Sequence, residues 1–325
     1  MGARMMAGRM LVGLASAALL AGCGASEPAT SGPGTSGPAM SGPGTAAETI
    51  TIPASYGHPE ILADVSWVSA HLDDPTVRIV DARMPMEATL YQTGHIPGAV
   101  YADVFEDVCC PTRIMPPDVF ATSMGKLGIG DDTTVVVYDT DGGLWAARLW
   151  WALRYYGHDQ VKVLNGGLRQ WVKAGQPLET ASPEVTPAVF TSKVETKWRA
   201  MIDEVKAAID DPDVALVDAL PWPSYTGDLV EYARPGHIVT SLSFPFDDTI
   251  DGIGKTTLAP AALARMLMRL HLDPGKRVIT YCGGGYAGAR AAFVLYLMGF
   301  DKVGLYDGSL GEWASDPSNP METEP

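Results

Sequence analysis

Apolar positions after residue 57 fall into two alternating patterns. Short unbroken runs, such as 134–138 (Thr-Val-Val-Val-Tyr) and 278–281 (Val-Ile-Thr-Tyr), are rich in β-branched and aromatic residues and read as buried strands. Between such runs lie longer segments with helical spacing, at 143–156, 259–270 and 287–299. Strands alternating with helices predict an α/β architecture with a mostly parallel sheet flanked by helices. Ligands bind in such folds at the loops that follow the carboxyl ends of the strands.

The pattern occurs twice. Arg78-Ile-Val-Asp81-Ala-Arg83 is answered by Ala215-Leu-Val-Asp218-Ala-Leu220, and Tyr91-Gln-Thr-Gly-His95-Ile by Tyr232-Ala-Arg234-Pro-Gly-His237-Ile. Thr134-Val-Val-Val-Tyr138-Asp139 is answered by Arg277-Val-Ile-Thr-Tyr281-Cys282. Val161-Lys-Val-Leu-Asn-Gly-Gly-Leu-Arg-Gln-Trp171 is answered by Val303-Gly-Leu-Tyr-Asp307-Gly-Ser-Leu-Gly-Glu-Trp313. Four blocks in the same order predict a duplicated domain. The copies are expected at 57–178 and 198–325, joined by a linker at 179–197 that is rich in Pro, Thr and Glu.

The first 56 residues follow neither pattern. Arg4 and Arg9 precede an apolar run at 11–21 that is too short to span a bilayer as a mature helix, and the run ends in Leu20-Ala-Gly-Cys23. This resembles the lipobox of bacterial lipoproteins, which implies cleavage of a signal peptide at 1–22 and lipidation of Cys23. Residues 23–56 hold a near-repeat of Ser-Gly-Pro with few apolar side chains, a composition expected of a disordered spacer. The expected location is outside the cytoplasm, in the periplasm or at the cell surface, with the membrane as a partner through the lipid.

One stretch concentrates the chemistry. The strand at 278–281 breaks into Cys282, three glycines (Gly283, Gly284, Gly285), then Tyr286, Ala287 and Gly288 at the start of an alanine-rich helix. Glycines allow positive φ, so successive N–H groups can converge on one point, and the helix N-terminus adds unpaired N–H groups. A sulfur held there is favoured as the nucleophilic thiolate. Aligning the copies at Tyr138 and Tyr281 puts Asp139 where Cys282 stands, so the first copy is expected to lack a nucleophile and to lend a wall to a cleft between the halves.

The stretch from Val278 to Arg290, the segment from Gly299 to Trp313 and the following Asp316-Pro-Ser-Asn-Pro-Met-Glu resemble the rhodanese family of sulfurtransferases. The resemblance covers nearly everything after residue 57 and implies two tandem rhodanese-like domains, as in thiosulfate and 3-mercaptopyruvate sulfurtransferases. It implies that Cys282 takes a sulfane sulfur from a small donor as a persulfide and passes it to cyanide, a thiol or a thiol-redox protein, without a metal or organic cofactor. Loop amides at 283–288 would stabilise the anionic sulfur. The alternative is a rhodanese-like carrier or binding module that serves a protein partner without turnover. The sequence departs from the family in its uncharged loop, in Ala287 where Thr is usual, and in Leu220 where the first copy has Arg83.

Other candidates rank below the cysteine. Cysteine phosphatases need Arg six positions after Cys, and Gly288 occupies that place; Arg290 lies about 200° further round the helix, facing the surface or a domain interface. Arg234 is the candidate for binding an anionic donor, with Arg113 a weaker one. His95, His237, Asp81 and Asp218 recur in both copies and are expected to be structural. Cys109 and Cys110 have no metal-ligand spacing and read as incidental or redox-sensitive loop thiols. A net charge of −15 argues against nucleic acid as a partner.

Overall fold

The computed structural model describes residues 51–84, 87–110 and 113–324, the side chain of Cys110 excepted. The expected signal peptide, the expected lipidation site Cys23 and most of the expected spacer lie outside the described residues.

The first half runs β1 (Leu62–Ala63), α1 (Val65–Ala70), β2 (Val77–Asp81), α2 (Ala88–Tyr91), β3 (Val100–Tyr101), β4 (Cys109–Cys110), β5 (Arg113–Ile114), α3 (Pro117–Lys126), β6 (Thr134–Tyr138), α4 (Leu144–Tyr155), β7 (Val161–Leu164) and α5 (Gly167–Lys173). The second runs β8 (Arg199–Ala200), α6 (Ile202–Ala208), β9 (Val214–Asp218), α7 (Trp222–Tyr225), β10 (His237–Ile238), β11 (Leu242–Ser243), α8 (Pro260–Arg269), β12 (Arg277–Tyr281), α9 (Tyr286–Leu297), β13 (Val303–Tyr306), α10 (Ser309–Trp313) and β14 (Met321–Glu322). Each half builds a five-stranded parallel sheet, in the orders β1-β7-β6-β2-β3 and β8-β13-β12-β9-β11. The two orders correspond strand for strand, which is the duplication read from the sequence. β12 is the central strand of its sheet, so Cys282 leaves from the middle of the carboxyl edge.

Two helices carry the junction between the halves. α4 and α9 are apolar on nearly every face and are buried almost throughout, as a helix without a polar stripe must be. Trp150 of α4 meets Phe293 of α9 edge to face at 5.0 Å between ring centres, and the core runs on from one half into the other. Gly288 lets α9 lie against its own strand, because a Cβ there would stand 3.1 Å from the Tyr281 backbone.

Each helix starts at a glycine in the left-handed region, Gly143 at φ 90° and Gly285 at φ 85°, and carries an arginine on its second turn. Arg148 reaches into the second half: Nη1 donates to the Gly285 carbonyl at 3.2 Å and Nη2 to Asp307 Oδ1 at 2.5 Å. Arg290 faces the first half at Gly143 and donates to Thr257 Oγ1 at 2.8 Å. The place of Asp307 is taken in the first half by Asn165, which accepts the Thr257 N–H at 2.8 Å. The expectation that Arg290 turns away from the loop toward a surface or interface resolves as a buried interface position.

The two arginines therefore differ in what answers their charge. Burial opposes the charge on Arg148, and Asp307 and Cys109 more than compensate, so its pKa lies above the ordinary value. Arg290 is equally buried without a carboxylate at ion-pairing distance among the described residues, and burial brings it down to about 10. Arg148→Met, which removes the buried partner of Asp307 Oδ1 and leaves Arg199 Nη2 and the Ile114 N–H on Oδ2, should cost about 3 kcal/mol, whereas Arg290→Met should fall within about 1 kcal/mol of wild type or exceed it. Urea unfolding of the two variants measures both; equal costs would mean that ion pairing is not what separates them.

Candidate active site

Cys282 ends β12 and is 3% exposed. Its Sγ accepts the Gly285 N–H at 3.1 Å, and its own N–H donates to Ser309 Oγ at 3.2 Å. The loop is clamped from the far side by α10, whose Leu310 and Gly311 N–H groups donate to the carbonyls of Cys282 and Gly283. Glycine is required at 285 twice over, by its positive φ and because a Cβ would stand 2.8 Å from Arg148 Nη1. The result is a sulfur at the start of a glycine turn, under an N–H, at the N-terminus of a buried twelve-residue helix.

The first half shows what the same turn does with a different residue. Asp139 Oδ1 accepts the N–H groups of Asp141 and Gly143, and Oδ2 those of Trp145 and Ala146, all at 2.9–3.0 Å. Burial pushes this carboxyl up and the amides pull it back. The first turn thus holds its own carboxylate in the cradle and presents no thiol.

First-half side chains nevertheless line the second turn. Tyr286 stacks edgewise on Phe105 at 5.4 Å and lies 5.2 Å from the Trp145 ring. Cys109 is not a loop thiol: it is buried, and its Sγ accepts Arg148 Nε at 3.2 Å. Burial first, then the charge of Cys109, pushes the Tyr286 phenol well above its ordinary value. The sequence reading assigned nothing to Arg148; aligning the halves at Gly143 and Gly285 pairs it with Arg290 and was the available signal.

A rhodanese-like domain profile matches residues 64–174 and again 201–316. The chain belongs to the rhodanese family. Among curated relatives, it is 35% identical over 274 residues to the mouse thiosulfate sulfurtransferase (78% of this chain, 91% of that one). It is 32% identical to a probable 3-mercaptopyruvate sulfurtransferase of Pseudomonas aeruginosa (81% and 98%), and 34% identical to the sulfur carrier protein TtuD of Thermus thermophilus (80% and 95%). The anaerobic ergothioneine biosynthesis enzyme of Chlorobium limicola, solved with trimethyl histidine, superposes with a TM-score of 0.77 at 26% identity, over 83% of this chain and 71% of that one.

Within this rhodanese frame the donor-binding expectation for Arg234 meets a structural obstacle. Its guanidinium donates to the carbonyls of Ala314, Asn319, Trp313 and Asp316, at 2.8–3.3 Å. It clamps the loop after α10, where an anion-binding arginine would need free N–H groups. Arg113 is likewise engaged, with Glu312 Oε1 at 2.5 Å. The histidines are structural as expected: His95 Nδ1 bonds the Tyr91 carbonyl and His237 Nδ1 the Tyr225 carbonyl, each ring stacked on that tyrosine. This also corrects the alignment of the halves. Tyr91 corresponds to Tyr225 and not to Tyr232, since Tyr91 and Tyr225 donate to the equivalent Ala99 and Ser241 carbonyls.

Leu220 has a consequence one strand away from the sulfur. In the first half Arg83 forms a buried ion pair with Asp81, with Nη2 2.6 Å from Oδ2. Asp218, equally buried, accepts the Leu220 N–H at 2.8 Å, and burial raises its carboxyl to about 7. A folded value above the unfolded one means the native state binds more protons between about pH 4 and 7, so this group's contribution falls as pH rises through that window. Asp218→Asn should therefore gain a few kcal/mol over wild type at pH 8 and converge with it near pH 4. Denaturant melts at the two pH values check this; a constant difference between them would reject it.

Proposed function

We propose that this chain is a sulfurtransferase in which Cys282 carries the transferred sulfur. The observation that supports this best is the Gly285 N–H donated to Cys282 Sγ at the N-terminus of α9, in a family whose curated relatives are named thiosulfate and 3-mercaptopyruvate sulfurtransferases. A matched structure at 25% identity holds ergothioneine linked to a cysteine persulfide, which makes the intermediate a chemistry this fold can hold.

The Cys282 thiolate attacks the outer sulfur of the donor. With thiosulfate the S–S bond breaks and sulfite leaves with the electron pair; with 3-mercaptopyruvate the C–S bond breaks and the carbon takes a proton as pyruvate forms. The new S–S bond is a persulfide, and residues 283–288 surround its anion. Attack by cyanide on the outer sulfur releases thiocyanate and restores the thiolate; a small thiol or a thiol-redox protein would accept sulfur in the same way. Tethering through a lipid on Cys23, with the catalytic part outside the cytoplasm in the periplasm or at the cell surface, rests on the Leu20-Ala-Gly-Cys23 sequence alone.

A second reading has its own observation. Arg113, Arg148 and Arg234 are already engaged by Glu312, Asp307 and backbone carbonyls, which favours a sulfur carrier serving a protein partner over an enzyme that grips a small anion. TtuD, named a sulfur carrier, shows that such a role occurs among the relatives.

Intact mass after incubation with thiosulfate or 3-mercaptopyruvate tests both readings. Wild type should gain one sulfur, about 32 Da, removable by cyanide, and Cys282→Ser should gain none. Continued thiocyanate release identifies an enzyme and a single equivalent identifies a carrier. No gain with either donor on folded protein with a free thiol rejects small-donor transfer.

A further inference from the structure

The corrected alignment exposes an insertion. His95 lies four positions after Tyr91 in the first half, and His237 lies twelve positions after Tyr225 in the second. The half that holds Cys282 therefore carries eight extra residues between the end of α7 and β10, and Tyr232 lies among them. Tyr232 folds back onto the active-site turn: a Cβ on Gly283, the residue after Cys282, would collide head-on with the Tyr232 phenol oxygen. Gly283 is thus glycine because a tyrosine hydroxyl occupies the space where its side chain would be.

The placement is held from both sides. Glu231 accepts the Ser224 hydroxyl at 2.8 Å, tying the insertion to α7. Arg234 fastens its other side to the loop after α10 through four carbonyls, which gives that arginine a purpose in place of donor binding. The Tyr232 ring is half-buried against the core, leaving the phenol O–H as the polar group at the turn. Burial, then the neighbouring charge of Cys282, keeps this phenol protonated far above neutral pH, so its O–H is available as a donor.

We propose that the Tyr232 O–H, which rests against Gly283 in this structure, turns to donate a hydrogen bond to the negatively charged sulfur at Cys282, to Sγ as the thiolate before loading and to the outer persulfide sulfur afterwards. No proton changes hands; the phenol supplies from the insertion a second donor beside the Gly285 N–H. This rests on the sulfurtransferase reading for its role in turnover, but the proposed bond to the thiolate needs no sulfur donor.

The test compares wild type with Tyr232→Phe, which keeps the ring and removes the O–H. The first readout is the pH profile of Cys282 alkylation by iodoacetamide, which needs no sulfur donor. Asp218, Glu231 and Arg148, the charged groups around the turn, are the same in both proteins. The midpoint of the profile should move upward by about one pH unit, sulfur loading from thiosulfate should slow about tenfold, and the melting temperature should stay within about 2 °C. Identical alkylation profiles and loading rates would overturn the proposal. A shifted profile with no loading in either protein would keep the Tyr232 contact and reject the small-donor reading. As a second probe, Gly283→Ala should abolish loading, and Gly283→Ala with Tyr232→Ala should recover part of it; no recovery would place Tyr232 away from the turn.

Discussion

The Cys282 turn hangs on a charge it does not own. The Arg148 guanidinium arises in the first half, crosses the junction, and fixes the Gly285 carbonyl while Asp307 balances it. Gly285 is also the residue whose N–H meets the sulfur, so the residue that presents this N–H is held by its own φ and, through its carbonyl in the next peptide, by an arginine of the other domain copy. A buried guanidinium with a poor partner is destabilising, and one with a carboxylate and a carbonyl in register is a rigid bracket. The helix pair α4 and α9 makes the bracket possible by bringing the second turns of both helices to the junction. The first half has no thiol in its own turn, where Asp139 stands, yet without its arginine the second half's turn would have one fewer fixed point.

Duplication followed by divergence explains the asymmetry of the site. Both halves keep the same five-strand order and the same tyrosine at the end of the central strand, and both keep an arginine on the second turn of the following helix. They differ in what fills the turn, in which arginine finds a carboxylate, in whether the buried aspartate has an arginine beside it, and in the eight-residue insertion. Each of these differences falls within reach of Cys282 or of its counterpart Asp139. The scaffold stayed, and its carboxyl edge was rewritten.

Much of this was legible in the chain. The short unbroken apolar runs and the helically spaced segments between them, repeated in four matched blocks, carried the architecture, because buried parallel strands and buried helices both need continuous apolar runs. Cys282 was legible because a thiol followed by three glycines has few bland explanations. Partner choice was not legible. Arg234 looks like a free cation in sequence, and only the folded loop at 313–319 shows where its N–H groups go. Arg148 sits in an apolar helix of the copy that has Asp139 in place of Cys282, so its importance appears only when the two helix starts are superposed. The pairing of Tyr91 with Tyr232 failed because spacing to His237 was matched locally, whereas the true partner, Tyr225, lies on the other side of an insertion.

Asp139 carries one more implication. A cradle that already holds a covalently attached carboxylate cannot exchange it, whatever the concentration of anion outside. In linkage terms the first half is permanently saturated, and any donor or product can shift the folding equilibrium only through the second. A molecule with two copies of one fold should therefore behave, in a binding titration, as a receptor of unit stoichiometry.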